Sequence, residues 1–247
     1  MRSLACLRYT IKKDDKEKKI MINRKQLANM FDHTLLKAFA KKEDFEVLCR
    51  DADQNGFKMV AINSYPVKLC KSFLKDSPVH VGAAIGFPLG QTTIETKVFE
   101  TLNAIDNGAD EIDYVINITE LKEGNLAYIE EEMTRIVTVC RKHQVLSKVI
   151  FENCYLTKEE IKQVALIAKK VKPDFIKTST GFGTSGATLE DVILMRDTVD
   201  GTCQIKAAGG IRDWATAKAF IEAGVTRIGT SSSFEILRGY DEEQANK

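Results

Sequence analysis

The chain has 247 residues, of which 44% are hydrophobic and 29% charged, and its formal net charge is +1. This composition supports a sizeable buried core, and the near-zero net charge gives no overall field to attract nucleic acid or a membrane surface. The apolar runs all fall short of the roughly 18 residues that suggest a membrane span.

Cysteines and histidines give no sign of a metal or redox site. The six cysteines lack the C-x-x-C spacing, and the three histidines are scattered. Zinc sites and redox pairs need such clusters, so we expect no metal. The first ten residues carry arginines without a long apolar centre, and a dense charge run follows them. This is a poor secretory signal, so we expect a cytoplasmic protein with neither nucleic acid nor membrane as partner.

The beginning of the chain differs from the rest. Residues 11–19 are almost wholly charged and offer nothing to bury. We therefore expect residues 1–20 to form a disordered N-terminal extension. The pattern settles at Met21, and our hypothesis is that Met21 is the natural start. We place one folded domain at residues 21–240 and a short tail at 241–247.

Eight short apolar runs recur along this domain. They lack polar alternation and are too short for helices, which is typical of strands buried on both faces. The predicted strands lie at residues 31–36, 59–62, 79–85, 112–116, 149–151, 175–176, 205–208 and 227–230.

Amphipathic helical segments lie between these runs. Thr157 and Glu160 form a capping-box pattern before one of them, and glycines such as Gly56 and Gly224 follow helical segments as C-terminal caps. The clearest helical segments are residues 43–55, 92–107, 125–143, 156–171 and one that opens at 188.

Regular alternation of strand and helix predicts a parallel sheet. Two features favour a single (β/α)8 TIM barrel over an open doubly wound sheet: the strand count is eight, and polar residues gather where strands end. The length is also near the roughly 250 residues typical of that barrel. An open sheet would more often carry G-x-G-x-x-G after its first strand, and the chain has none.

Three charged residues interrupt the apolar strands. Asp113 lies in the fourth strand, and Lys177 and Lys206 end or interrupt the sixth and seventh. Burying an ammonium is costly, and a second cation nearby lowers the pKa of a lysine, which favours the neutral amine that attacks a carbonyl. Alone, each lysine is more often a surface residue and Asp113 an ion-pair partner. Together they favour Schiff-base chemistry.

Glycine-rich and serine-rich loops follow the last three strands. They contain Thr178 to Gly183, Gly209 with Gly210, and Gly229 to Ser233. Backbone N–H groups in such loops and at a helix N-terminus bind phosphate, and barrels often build a phosphate site after strands seven and eight. One such loop would be read as a tight turn; three together favour a phosphate site.

At these residues the chain resembles the deoxyribose-phosphate aldolase family from about Phe31 to Leu237. The blocks are residues 32–37, 85–90, 108–113, 115–118, 175–181, 206–212 and 227–232. The resemblance implies reversible cleavage of 2-deoxyribose 5-phosphate to glyceraldehyde 3-phosphate and acetaldehyde, without metal or organic cofactor, and a homodimer. It makes Lys177 the Schiff-base lysine, Lys206 the lysine that perturbs it, and Asp113 the proton-relay aspartate. It places Asp32, Thr34, Thr180, Gly181, Gly209, Gly210, Ser231 and Ser232 at the substrate.

The chain departs from the family pattern at three places. Ala61 stands where many members have a strand-two cysteine next to the substrate, so we expect activity to be retained and aldehyde tolerance to change. Phe182 stands where some members have a lysine, which removes one phosphate contact. Some members also use a C-terminal tyrosine, a role that we do not transfer to Tyr240.

Two alternatives remain open on the sequence. The first is another Schiff-base enzyme on the same barrel, such as a transaldolase or a sugar-bisphosphate aldolase. The second is a catalytically silent barrel that binds a sugar phosphate. A substrate panel separates the first from the main hypothesis, and trapping of a live imine with borohydride separates the second.

Overall fold

A computed structural model describes residues 22–246 as a closed barrel of eight parallel strands. Each strand pairs with the next along the chain, and the last pairs with the first. The predicted (β/α)8 barrel is therefore confirmed. The strands are β1 (Phe31–Thr34), β2 (Met59–Asn63), β3 (His80–Ile85), β4 (Glu111–Val115), β5 (Leu146–Ile150), β6 (Phe175–Lys177), β7 (Gln204–Ala208) and β8 (Arg227–Thr230).

Helices fill the connections around the outside of the barrel. They are α1 (Arg24–Ala28), α2 (Lys42–Asn55), α3 (Val67–Phe73), α4 (Ile94–Asp106), α5 (Ile118–Lys122), α6 (Leu126–Lys142), α7 (Lys158–Val171), α8 (Leu189–Val199), α9 (Trp214–Glu222) and α10 (Ser233–Ala245). The five clearest predicted helices correspond to α2, α4, α6, α7 and α8. The prediction omitted α1, α3 and α5, which have five to seven residues and show too few turns for a helical period.

Local sequence explains where several helices begin and end. The capping box predicted before α7 is present: Thr157 accepts from the backbone N–H of Glu160, whose side chain accepts in return from Thr157 N. Gly56 ends α2 with φ +66°, a left-handed conformation that glycine adopts without steric cost. These signals act over a few residues, which is why they could be read from the sequence.

The hydrophobic core lies between the strands and the helices. On β4, Ile112 and Tyr114 are buried in this outer core. Because side chains alternate along a strand, Glu111 and Asp113 face the barrel interior. Both make ion pairs there with residues of other strands. In many such barrels bulky aliphatic side chains fill the interior, whereas here several of the buried strand residues are charged.

The last helix continues past the boundary predicted at residue 240. Helix α10 extends to Ala245, so most of the predicted tail at 241–247 is helical. The Tyr240 ring packs edge-on against Trp214 at 5.1 Å, and its hydroxyl donates to the Ile22 carbonyl at 2.8 Å. Arg24 also pairs with Asp241. These contacts with α1, α9 and Ile22 hold the end of α10. No local sequence pattern predicts them, because the partners are distant in the chain.

Two expectations for the N-terminus, the disordered extension at residues 1–20 and the start at Met21, lie outside the described residues. Within residues 22–246, no helix has both the length and the apolar character needed to cross a bilayer.

Candidate active site

Lys177 and Lys206 lie side by side in the barrel. Lys177 ends β6 and is the register partner of Lys206 on β7. Their side chains are 5% and 0% exposed, so both ammonium groups have left bulk water. From β4, Oδ2 of Asp113 accepts from Lys177 Nζ at 2.9 Å and from Lys206 Nζ at 2.6 Å. The structure thus brings together the three residues that the sequence singled out for chemistry.

A third buried lysine belongs to the same cluster, and the sequence reasoning missed it. Lys148 on β5 is the register partner of Asp113, and its Nζ lies 2.6 Å from Asp113 Oδ1. The predicted strand began at Val149, which left Lys148 outside it. The strand in fact begins at Leu146. Alternation places Lys148 and Ile150 on the same face, and this period of two was the signal available.

Electrostatics of this cluster make Lys177 a weaker base than an ordinary lysine. Burial lowers the pKa of Lys177 to about 8, the charges of Lys206 and Lys148 act in the same direction, and Asp113 opposes them. Burial alone would raise the pKa of Asp113, but the three ammonium groups hold it well below its usual value. The site therefore holds an ionised carboxylate beside an amine whose pKa is lowered to about 8.

The glycine-rich loops after β6 and β7 pack directly on each other. Gly209 has φ +85°, and a Cβ built on it would lie 2.9 Å from Gly186 Cα and 3.5 Å from Gly181 Cα. Gly181 and Gly210 also have positive φ values, +91° and +79°. Glycine adopts positive φ without strain, and at Gly209 a side chain would also crowd Gly186. Glycines of this kind let backbone N–H groups approach a phosphate.

The loop after β8 leads into α10. Ser231 is exposed, and Ser232 precedes the first turn, with its N–H donating to Thr230 Oγ1 at 2.9 Å. A helix of this length presents unpaired N–H groups and the positive end of its dipole there. The three predicted phosphate loops follow consecutive strands of the barrel, so they lie at one end of it.

Two other predicted substrate residues lie on β1. The Asp32 carboxylate pairs with Lys206 and with Arg227. Thr34 is half-buried, and its hydroxyl donates to the Asp32 carbonyl at 2.8 Å. The Asp32 side chain is fully buried and contacts Lys206, the neighbour of Lys177, and not Lys177 itself.

Thr180 is held by Glu152, a residue that the sequence reasoning did not select. Glu152 is buried in the loop after β5 and accepts from the N–H of Thr180 at 3.1 Å and from its hydroxyl. The Thr180 hydroxyl in turn accepts from Phe182 N at 3.0 Å. Glu152 also has φ +58°, an uncommon conformation for a residue with a side chain. This carboxylate fixes the loop after β6.

The two departures from the family pattern near this end of the barrel are apolar. Phe182 is 56% exposed and packs edge-on against Phe87, from the loop after β3, with ring centroids 5.4 Å apart. Ala61 is buried on β2 between Thr34 and Gly82 in register. Neither position carries a charge or a nucleophile.

A barrel with this interior has the features of an enzyme that forms a Schiff base. A buried amine with a lowered pKa can attack a carbonyl, and a neighbouring carboxylate can exchange protons through a water. Among residues 22–246, no group of three or more His, Cys, Asp or Glu side chains is placed to hold a metal ion.

Comparison with known proteins identifies the family. The profile described as DeoC/LacD family aldolase matches residues 26–230, and the chain belongs to this family. It is 56% identical over 211 residues to the deoxyribose-phosphate aldolase of Lactobacillus acidophilus, covering 85% of this chain and 89% of that protein. It is 53% identical over 217 residues to that of Bacteroides thetaiotaomicron, with coverages of 88% and 91%.

Solved structures give the same result. The deoxyribose-phosphate aldolase of Aeropyrum pernix, described as having a unique tetrameric structure, superposes with a TM-score of 0.83 at 27% identity. The superposition covers 90% of this chain and 93% of that one. Fold, family and close relatives therefore agree with the resemblance seen in the sequence.

Proposed function

We propose that this chain is a deoxyribose-phosphate aldolase that cleaves 2-deoxy-D-ribose 5-phosphate reversibly to D-glyceraldehyde 3-phosphate and acetaldehyde. Membership of the aldolase family and relatives of that name at 53–56% identity support this activity. The observation that carries the mechanism is the pair of Lys177 and Lys206 on one carboxylate oxygen of Asp113. The proposed activity belongs to the catabolism of deoxyribose phosphate.

The chemistry begins with the neutral amine of Lys177. Its Nζ attacks the aldehyde carbon C1 of the open-chain sugar, and loss of water gives an iminium ion. Removal of the proton from the C3 hydroxyl then breaks the C2–C3 bond, whose electron pair moves to the iminium as an enamine. Glyceraldehyde 3-phosphate leaves, C2 of the enamine takes a proton, and hydrolysis releases acetaldehyde and the free lysine.

Asp113 and Lys206 move the protons in this scheme, through a water. Asp113 contacts both lysines, so a proton passed to or from the C3 hydroxyl and C2 has a short route within the cluster. The substrate phosphate binds the loops that contain Thr180, Gly181, Gly209, Gly210, Ser231 and Ser232. Asp32 and Thr34, on β1, lie near the substrate. Phosphate binding fixes the substrate remote from the bond that breaks.

Imine trapping tests the proposal. Wild type is reduced with sodium borohydride in the presence of acetaldehyde, and the modified peptide is located by mass spectrometry. We expect one reduced ethyl group on Lys177, lost in Lys177→Ala and retained in Lys162→Ala, which changes an exposed lysine of α7. A folded wild type that forms no adduct would favour a silent sugar-phosphate barrel. Faster turnover of other aldol substrates than of deoxyribose 5-phosphate would favour another Schiff-base aldolase or a transaldolase.

Assembly and location complete the proposal. We expect a homodimer in the cytoplasm; the tetrameric description of the Aeropyrum pernix relative supports self-association in the family. Light scattering of the eluting peak in size-exclusion chromatography gives the mass directly, and cell fractionation gives the location.

A further inference from the structure

The charged interior of the barrel extends beyond the residues that the proposed reaction uses. Arg227 on β8 is the register partner of Lys206, and Glu111 precedes Asp113 by two residues on the same face of β4. Both are buried. Arg227 Nη2 lies 2.8 Å from Glu111 Oε2 and 2.6 Å from Asp32 Oδ1. Lys148 Nζ lies 2.5 Å from Glu111 Oε2. No step of the aldol chemistry requires Glu111 or Arg227.

These contacts form a closed ring of alternating charges. In order around it the members are Asp113, Lys148, Glu111, Arg227, Asp32 and Lys206, and Lys206 returns to Asp113. We call these six residues the charge ring. Each carboxylate touches two cations of the ring and each cation touches two carboxylates, so three negative and three positive charges cancel.

Lys177 is attached to this ring from outside. Within the described chain its ion pair is with Asp113, at 2.9 Å, whereas Lys148, Lys206 and Arg227 each contact two carboxylates. The ring therefore leaves no surplus negative charge to hold a proton on Lys177. Because a buried unbalanced charge is costly, the neutral ring favours the uncharged amine at that position.

Other titratable groups lie near the ring without pairing with Lys177. At the N-terminal end of the barrel, His80 Nδ1 lies 2.6 Å from Glu111 Oε1, and His80 Nε2 lies 3.3 Å from Lys58 Nζ. At the other end, Glu152 is engaged by Thr180. Neither group ion-pairs with Lys177.

We propose that Glu111 and Arg227 are positioning residues that close the charge ring and thereby make Lys177 the surplus cation of the barrel interior. They act through Asp113, Asp32 and the two other lysines, and they do not touch the substrate. This inference rests on the proposed Schiff-base function of Lys177.

Charge-changing variants test the ring. Arg227→Met leaves one carboxylate in excess, so Lys177 should hold its proton more tightly. We expect the pH midpoint of imine formation to rise by about one unit. Glu111→Gln removes a negative charge and should lower the midpoint. The double variant Arg227→Met/Glu111→Gln loses one charge of each sign and should return the midpoint near that of wild type. Arg227→Lys, which keeps the charge, is the matched control and should leave it near wild type.

The readout is the initial rate at which acetaldehyde is trapped on Lys177 by cyanoborohydride, measured from pH 6 to 10 by peptide mass spectrometry. A purely structural role would change melting temperature or amplitude and leave the midpoint fixed. The proposal is overturned if folded Arg227→Met has the wild-type midpoint. It is also overturned if the midpoint of the double variant remains at the value of Arg227→Met. If Arg227→Met does not fold, Glu111→Gln decides: a lower midpoint supports the ring, and an unchanged one refutes it. Absence of any adduct in wild type refutes the Schiff-base function itself.

Discussion

Lys177 and Lys206 face each other in register on neighbouring strands and donate to the same oxygen atom, Oδ2 of Asp113. Two ammonium groups this close within a buried cluster repel each other, and one carboxylate oxygen compensates only part of that repulsion. Lys206 has a second carboxylate in Asp32, whereas among residues 22–246 Lys177 pairs with Asp113 alone. We expect this asymmetry between two chemically identical side chains to make Lys177 the nucleophile.

The pH dependence of the wild type follows from this asymmetry. Burial and the neighbouring cations lower the pKa of Lys177 to about 8, so the neutral amine is the minor form at pH 7 and the major form at pH 9. We expect kcat/KM for deoxyribose 5-phosphate to rise about tenfold across that interval, since the neutral amine is the attacking form. A rate measured with 2-deoxyribose should show the same acid limb. A flat profile from pH 6 to 9 would contradict the assignment.

Replacing the shared carboxylate should separate imine formation from turnover. Asp113→Asn removes the group that passes protons between the lysines and the substrate, so kcat should fall by about 100-fold or more. Lys177 keeps its place, and reduction with borohydride should still trap acetaldehyde on it. Turnover at the wild-type rate in Asp113→Asn would exclude the relay. A variant that neither traps acetaldehyde nor melts cooperatively would instead show that the carboxylate is needed for folding.

Glu152 should affect the phosphorylated substrate alone. Glu152→Gln weakens the hold on Thr180 and on the loop that binds phosphate, so we expect KM for deoxyribose 5-phosphate to rise about tenfold with a smaller change in kcat. The values for 2-deoxyribose, which lacks the phosphate, should stay near those of wild type. Glu190→Gln, at an exposed glutamate of α8, is the control. Equal losses on both substrates would show a general structural effect.

A buried ion pair between two of the outer helices bears on stability. Lys97 on α4 lies 2.5 Å from Glu132 on α6, and both are fully buried. Lys97 also donates to the Val115 carbonyl at 2.7 Å, and Glu132 accepts from Asn117 N at 3.0 Å. Lys97→Met leaves the Glu132 carboxylate buried without its cation, which should lower the free energy of unfolding by about 3–5 kcal/mol.

Urea denaturation measures this effect, and two further variants control it. Lys97→Met/Glu132→Gln removes the uncompensated charge while keeping an acceptor for Asn117, so it should recover part of the loss. Arg135→Met breaks a pair with Glu95 on the exposed surface of the same helices and should change stability little. A loss in Lys97→Met no larger than in Arg135→Met would argue against a structural role for the buried pair.

Much of the fold could be predicted because its signals are local. Strands buried on both faces read as short apolar runs, and caps such as Thr157 with Glu160 mark helix ends within four residues. Helix α3 was not predicted because seven residues show too little of a helical period. The end of α10 was not predicted because it is fixed by contacts of Tyr240 and Asp241 with residues distant in the chain.

The sequence by itself determined the barrel, the family and the importance of Lys177, Lys206 and Asp113, since lysines in apolar strands and glycine-rich loops are visible without coordinates. Only the tertiary structure decided that Lys148, Glu111 and Arg227 join them. Asp32 and Arg227 are 195 positions apart in the chain and meet because β8 closes on β1. In the sequence, a single carboxylate cannot be distinguished from any other ion-pair partner. Its effect on a distant lysine depends on which charged side chains lie between the two once the barrel closes.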